Sequence, residues 1–325
     1  MKVKKEYVIL ILVIVALVFY LTMKSANHNE SELPQPAQVD SAKINRIMVS
    51  EKSYGTVELV KKDEKWFIEP KGYPADSIKV KNMANAIADL TLTALVSESG
   101  SYERYGLAED KKIAVQAFDG SNAVRTLDIG ETAPTSQHTF VLLAGDPNVY
   151  HARGQLKRTF EHTIDDLRDK TVFDLSRESV GEIGLQKGDR SIHLIKKEIA
   201  KPAEEAQGNQ KEKPAQAPKI EWHDAQGQSV ETSAVDRLLG SMARLNCDGY
   251  LEDTAKENLK DPQWAVTLKD DQNEYTISVY APENKDADKI PATASANPYP
   301  FVLNKSRVES LEKSIDKLLG IEEKK

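Results

Sequence analysis

The side chains best suited to chemistry in this 325-residue chain are six histidines, His28, His138, His151, His162, His193 and His223, and one cysteine, Cys247. No two histidines stand in the His-Glu-x-x-His spacing that puts two metal ligands and a base on one helix face. His151 and His162, eleven residues apart, can share a helix face, but no carboxylate at a suitable spacing completes a site. His193 lies between Ile192 and Leu194 in an alternating run, which places it on the solvent side of a strand. Asp165-Asp166 and Asp270-Asp271 are adjacent carboxylates that point apart on a helix or strand, so they read as solvated charges rather than an acid/base pair. There is no Gly-x-Ser-x-Gly nucleophile elbow, no Gly-rich loop ending in Gly-Lys-Ser/Thr and no Gly-x-Gly-x-x-Gly after a strand. One cysteine forms neither an intrachain disulfide nor a thiolate metal cluster, and Cys247 is best explained as a small buried apolar residue. The sequence therefore supplies no catalytic, cofactor-binding or metal-ligating residues, and the expectation is a protein that is not an enzyme. An envelope hydrolase would need His138, His151 and acidic residues gathered in one cleft.

Other residues are special for architecture. Trp66, Trp222 and Trp264 each lie in strand-like sequence and are expected to pack in a core or on a sheet face. Gly106, in Tyr105-Gly106-Leu107, can supply a positive φ at a turn, and Gly130 ends a strand before a hairpin connection to Thr139–Leu143.

The elements that must position these residues follow from patterning. From Tyr7 to Met23 the chain reads YVILILVIVALVFYLTM without a charge. A helix of that length nearly crosses a bilayer core of about 30 Å. Lys2, Lys4 and Lys5 precede it, so the positive-inside rule puts the N-terminus in the cytoplasm and the rest outside it. A cleaved signal peptide is the competing reading, but Phe19, Tyr20, Leu21 and Met23 occupy the place of a small-residue cleavage site. Residues 1–23 are thus expected to be a cytoplasmic tip and single-pass signal anchor in a bacterial inner membrane, and 24–43, polar with two prolines, a flexible linker.

Two distant segments then match position for position: Val80-Lys-Asn-Met83-Ala84-Asn-Ala-Ile87-Ala-Asp-Leu90 and Val235-Asp-Arg-Leu238-Leu239-Gly-Ser-Met242-Ala-Arg-Leu245. Both have the helical spacing i, i+3, i+4, i+7, i+10. Around them, Ile44, Ile47 and Val49 correspond to Val180, Ile183 and Leu185, Thr56–Lys62 to Ser191–Lys197, Ile113–Ala117 to Trp264–Leu268, Arg125–Ile129 to Tyr275–Val279, and Thr163–Leu167 to Ser314–Leu318. The expected fold class is α+β: an N-terminal transmembrane helix followed by two repeated modules of mainly antiparallel sheet with packed helices, over 44–175 and 176–325. Residues 198–219, rich in Ala, Pro, Gln, Glu and Lys, read as a disordered insertion, and Asn284–Asn297 as a shorter one.

The segments Gly55-Thr-Val-Glu-Leu, Lys65-Trp66-Phe-Ile, Pro74-Ala-Asp76, Tyr105-Gly-Leu107, Leu127-Asp-Ile-Gly130, Val149-Tyr150 and Leu167-Arg-Asp-Lys170 resemble a bacterial family known as domain of unknown function 4340. The resemblance covers nearly all of Ile44 to Phe173. It is weaker in the second copy, where Asn258-Leu259 stands in place of Tyr-Gly-Leu. It implies one membrane segment, an extracytoplasmic region and association with ABC transporters of the type linked to gliding motility. No catalytic residues or cofactors come with it.

The expected function is a non-enzymatic, membrane-anchored periplasmic accessory subunit of an ABC transport complex that acts through protein–protein contacts. Its expected partners are the inner membrane, through residues 7–23, and a permease or other membrane subunit. The alternatives are a periplasmic module that binds glycan, lipid or peptide, and a bitopic scaffold of secretion or division machinery. Nucleic acid is excluded as a partner, because 44 Lys and Arg against 51 Asp and Glu give a net charge of −7 and leave no concentrated basic face.

Overall fold

The computed structural model of the chain describes residues 13–20, 33–199, 219–252, 254–284 and 287–321. These divide by contacts into two compact units, Met1–Asp169 and Lys170–Lys325.

The first unit is built on a nine-stranded antiparallel sheet. Its strands are β1 (Arg46–Glu51), β2 (Gly55–Lys62), β3 (Lys65–Glu69), β4 (Tyr73–Pro74), β5 (Leu92–Ser97), β6 (Ile113–Asp119), β7 (Asn122–Thr132), β8 (His138–Leu143) and β9 (Val149–Arg153). They lie in the order β4-β3-β2-β1-β6-β7-β8-β9-β5. Alternation sets the faces: Ile47, Val49, Val57, Leu59, Val115 and Ile129 point one way and are buried. The helix α2 (Ser77–Ala88) buries Val80, Met83, Ala84 and Ile87. Full burial of a large apolar side chain contributes roughly 1.5–3 kcal/mol, so that stripe holds the helix. Asp76 starts it by accepting from the backbone N–H groups of Ile78 and Lys79, the usual service of an N-cap carboxylate.

The second unit carries β11 (Glu182–Lys187), β12 (Arg190–Ile199), β13 (Lys219–His223), β14 (Ser229–Val230), β16 (Gly249–Tyr250), β17 (Trp264–Lys269), β18 (Glu274–Val279), β19 (Lys289–Ala294) and β20 (Asn297–Asn304). Their order, β14-β13-β12-β11-β17-β18-β19-β20-β16, is strand for strand that of the first sheet. A third sheet of two strands pairs β10 (Thr171–Asp174) with β15 (Arg244–Asn246). The helix α5 (Thr232–Met242) buries Ala234, Val235, Leu238, Leu239 and Met242.

The units differ after their last long strand. In the second, α6 (Lys305–Leu318) is continuous and buries Val308, Leu311, Ile315 and Leu318. In the first, the matching stretch is two short helices, α3 (Leu156–Phe160) and α4 (Ile164–Leu167). A capping box divides them: Thr163 Oγ1 accepts from the Asp166 N–H at 3.1 Å, and Asp166 Oδ2 accepts from the Thr163 N–H at 3.1 Å. Such a box begins a new helix. At the matching position of the second unit stands Lys317, which cannot close the box, and Ser314 instead donates back to the Ser310 carbonyl within an unbroken helix.

The expected fold class is corrected. The described residues are dominated by antiparallel sheet, in three sheets, with helices in a minor share. Among the described residues no transmembrane helix leads the chain. Of the apolar run 7–23, residues 13–20 form a helix, α1, and residues 7–12 and 21–23 lie outside the described residues. Eight residues rise about 12 Å, against about 30 Å of hydrocarbon. Among the described residues no helix is long and apolar enough to cross a membrane, which overturns the transmembrane, signal-anchor and single-pass readings together.

Residues 24–32 of the expected linker and 200–218 of the expected insertion are likewise outside the described residues. The shorter insertion at 284–297 contains a strand, β19, paired on both sides. The strand β10, placed by sequence in the first repeat, pairs within the second unit because Val172 and Phe173 bury against that core.

Candidate functional site

The fold brings two of the histidines together. On the strand pair β8–β9, His138 and His151 stack with ring centroids 5.5 Å apart, and Phe140 lies 4.9 Å from His151 on one side and 4.9 Å from Tyr105 on the other. The His151 Nε2 atom is buried without a hydrogen-bond partner. Burial, and secondarily the charge of His138, lower its pKa. A neutral imidazole in an aromatic cluster is a packing element: among the described residues no group of three or more His, Cys, Asp or Glu side chains is placed to hold a metal ion.

The other candidates stand apart. His151 is on β9 and His162 in the turn between α3 and α4, so they share no helix face. His193 is exposed, with Nε2 3.1 Å from Glu182 Oε2. His223 Nδ1 lies 3.0 Å from the Gly227 carbonyl oxygen. His28 lies outside the described residues. Asp166 belongs to the capping box, and Asp270 Oδ1 accepts from the backbone N–H groups of Gln272 and Asn273 to form a turn. Cys247 and the three tryptophans are buried.

Four of the segments that carry the family resemblance meet in pairs. Asp76 N donates to the Leu167 carbonyl at 2.8 Å, and Asp169 N to the Pro74 carbonyl at 2.9 Å. These bonds join the Pro74-Ala-Asp76 and Leu167-Arg-Asp segments, and the buried Arg168 guanidinium lies 3.7 Å above the Tyr73 ring. The second joint packs Tyr105–Leu107 on the end of β7. Gly106 adopts φ +67°, and a Cβ there would fall 2.6 Å from Glu131 Cγ. A Cβ on Gly130 would fall 2.2 Å from the Tyr105 carbonyl oxygen and 2.8 Å from Leu107 Cγ. These positions demand glycine for close approach. Trp66 is a core residue, and the Tyr150 hydroxyl donates to Asp146 Oδ2 at 2.7 Å. None of these residues converges on a reactive group.

The first sheet also presents a surface. Opposite residues in neighbouring strands share a face, and register aligns Phe67, Val60, Arg46 and Phe118 across β3, β2, β1 and β6. The row lies on the face opposite the buried core side chains and is only partly buried. The Arg46 guanidinium sits 3.8 Å above the Phe118 ring and 3.5 Å from Glu58 Oε1. The equivalent row of the second sheet is His223, Ile195, Glu182 and Lys269, where Lys269 and His193 both bind Glu182 at 3.1 Å. The first sheet thus presents an aromatic and arginine row where the second presents the Glu182–Lys269 ion pair beside an exposed Ile195 and a half-buried His223. Sequence reading identified these strands without separating their faces. The signal available was Phe67, Met48 and Val60 at positions of the alternation opposite the buried ones.

Residues 66–262 match a family model described as a domain of unknown function (DUF4340). That match begins in β3 of the first unit and runs into the second as far as the approach to β17. No curated protein and no solved structure matches the chain.

Proposed function

The chain belongs to the DUF4340 family, and from that premise we propose that it is a non-catalytic accessory subunit that binds partner proteins, the partner being a component of an ABC transport complex. The observation that carries the reading is the row Phe67–Val60–Arg46–Phe118 on the open face of the first sheet. Aromatic and arginine side chains are the types enriched in the buried centres of protein interfaces, and here they occupy a partly buried strip. The two joints support it, since several of the residues that carry the resemblance tie this sheet to its helices and turns. The transport complex and the extracytoplasmic placement rest on the family resemblance.

The test is purification of the full chain from its own cells in mild detergent. Permease or ATPase subunits should accompany the wild-type protein and be lost from the double variant Arg46→Glu/Phe118→Ser, with the variant's folding checked by its unfolding transition. Absence of any transporter subunit with the wild type, under conditions that preserve other membrane complexes, contradicts the proposal.

A further inference from the structure

The break between α3 and α4 has a chemical result that the second unit lacks. In the second unit α5 and α6 pack directly, and Lys317 Nζ lies 2.6 Å from Oε2 of Glu231, the residue before α5. That lysine is engaged in an ion pair. In the first unit the break leaves a groove of about 290 Å³ between α2 and α3, lined by Lys79, Asn82, Gln155, Arg158, Thr159 and His162. Three of the six are cationic or become so on protonation, in a chain whose net charge is −7.

Half of these residues have unspent donors. The exposed Arg158 makes no hydrogen bond or ion pair among the described residues, and His162 and the Asn82 amide make no hydrogen bond there. Lys79 is held in place, its ammonium donating to the Asp166 carbonyl and lying 3.9 Å from Asp76 Oδ2. Gln155 is tied at its amide to the Ser136 carbonyl at 3.0 Å, and Thr159 donates to the Gln155 carbonyl at 3.3 Å. The opposing charges are Asp76, Asp166 and Glu161, all of which act on His162, and Asp76 also lies beside the Lys79 ammonium.

We propose that this groove binds a phosphate group, with the Arg158 fork and the Lys79 ammonium meeting its oxygens and Asn82 and His162 completing the set. A guanidinium offers planar paired donors matched to two phosphate oxygens, and the volume suits one such group with its hydration. The phosphate comes either from a small soluble molecule or from the head group of an anionic phospholipid; the chemistry recognised is the same. The inference is independent of the partner-binding row, which lies on the other side of the first sheet. Burial, and next the Lys79 charge, hold the His162 pKa below the ordinary histidine value, and a bound anion favours imidazolium and raises it.

The test uses the full chain. Inorganic phosphate is titrated at constant ionic strength, with chloride as the control, while the His162 ring and Asn82 amide are followed by NMR. Saturable shifts with phosphate and not chloride are expected, with a higher His162 pKa in the bound form. Affinity should fall about tenfold in Arg158→Gln, the value of one charge-assisted contact, and at least as far in Asn82→Asp. Flotation with phosphatidylglycerol vesicles, against phosphatidylcholine, assigns the source. Flotation that depends on Arg158 identifies the lipid, and phosphate binding without flotation identifies a soluble ligand. Equal response to chloride, or binding unchanged in both variants, overturns the site.

Discussion

Gly130 and Gly106 show why residues that look functional in a sequence can be mechanical. A methyl group on Gly130 would lie 2.2 Å from a backbone carbonyl that cannot rotate away, so Gly130→Ala must displace the Tyr105–Leu107 turn. The expected cost is about 1–3 kcal/mol, read as a lower midpoint in urea unfolding. The glycines at 120 and 145, whose Cβ positions meet nothing within 4 Å, provide the comparison and should show only the smaller strain of a positive φ. His151 and His162 carry a second residue-level consequence. Both have folded-state pKa values depressed by burial, so as pH falls through about 6.5 the unfolded chain protonates first. Stability is therefore full above that pH and declines through the window down to the folded-state values, where it levels. Urea titrations from roughly pH 7.5 to 5 should show this slope, and His151→Gln should reduce it; a slope of opposite sign contradicts the assignment.

At the scale of elements, long periodic segments were legible and short edges were not. The stripe Val80, Met83, Ala84, Ile87 and its counterpart Val235, Leu238, Leu239, Met242 is buried in both units, because a 3.6-residue period written in large apolar side chains admits one packing. The two-residue strands β4, β14 and β16 carry too few residues to show a period. The α3–α4 break depends on Asp166 against Lys317, one residue type at one capping position. The histidine pairing depended on the β8–β9 register, and the partner row on knowing which face the helices cover. Sequence spacing fixes neither. The strand β10 supplies the prediction at this scale. Val172 and Phe173 bury in the second core, and the Leu175 N–H donates to the Ala243 carbonyl at 2.7 Å. A chain beginning at Lys170 should unfold cooperatively, and one beginning at Ser176 should be less stable by roughly 4 kcal/mol, the value of two large buried side chains. Equal stability of the two would remove β10 from the fold of that unit.

For the whole molecule, one strand order is used twice with different surfaces. Duplication lets both sheets keep the same buried alternation while the open face of each is free to change, since residues there contribute less to stability. The first sheet has taken the aromatic and arginine row, and the second a row with one ion pair, Glu182–Lys269, beside Ile195 and His223. If the chain works by binding a protein partner through the first row, contact must be confined to it. The decisive measurement is photocrosslinking in cells, with a photoreactive amino acid placed singly at Phe67, at Phe118, at Ile195 and at Lys269 of the full chain. The account predicts discrete adducts with a transporter subunit from Phe67 and Phe118 and none from Ile195 and Lys269. Adducts from the second row alone, or none from the first, would contradict it.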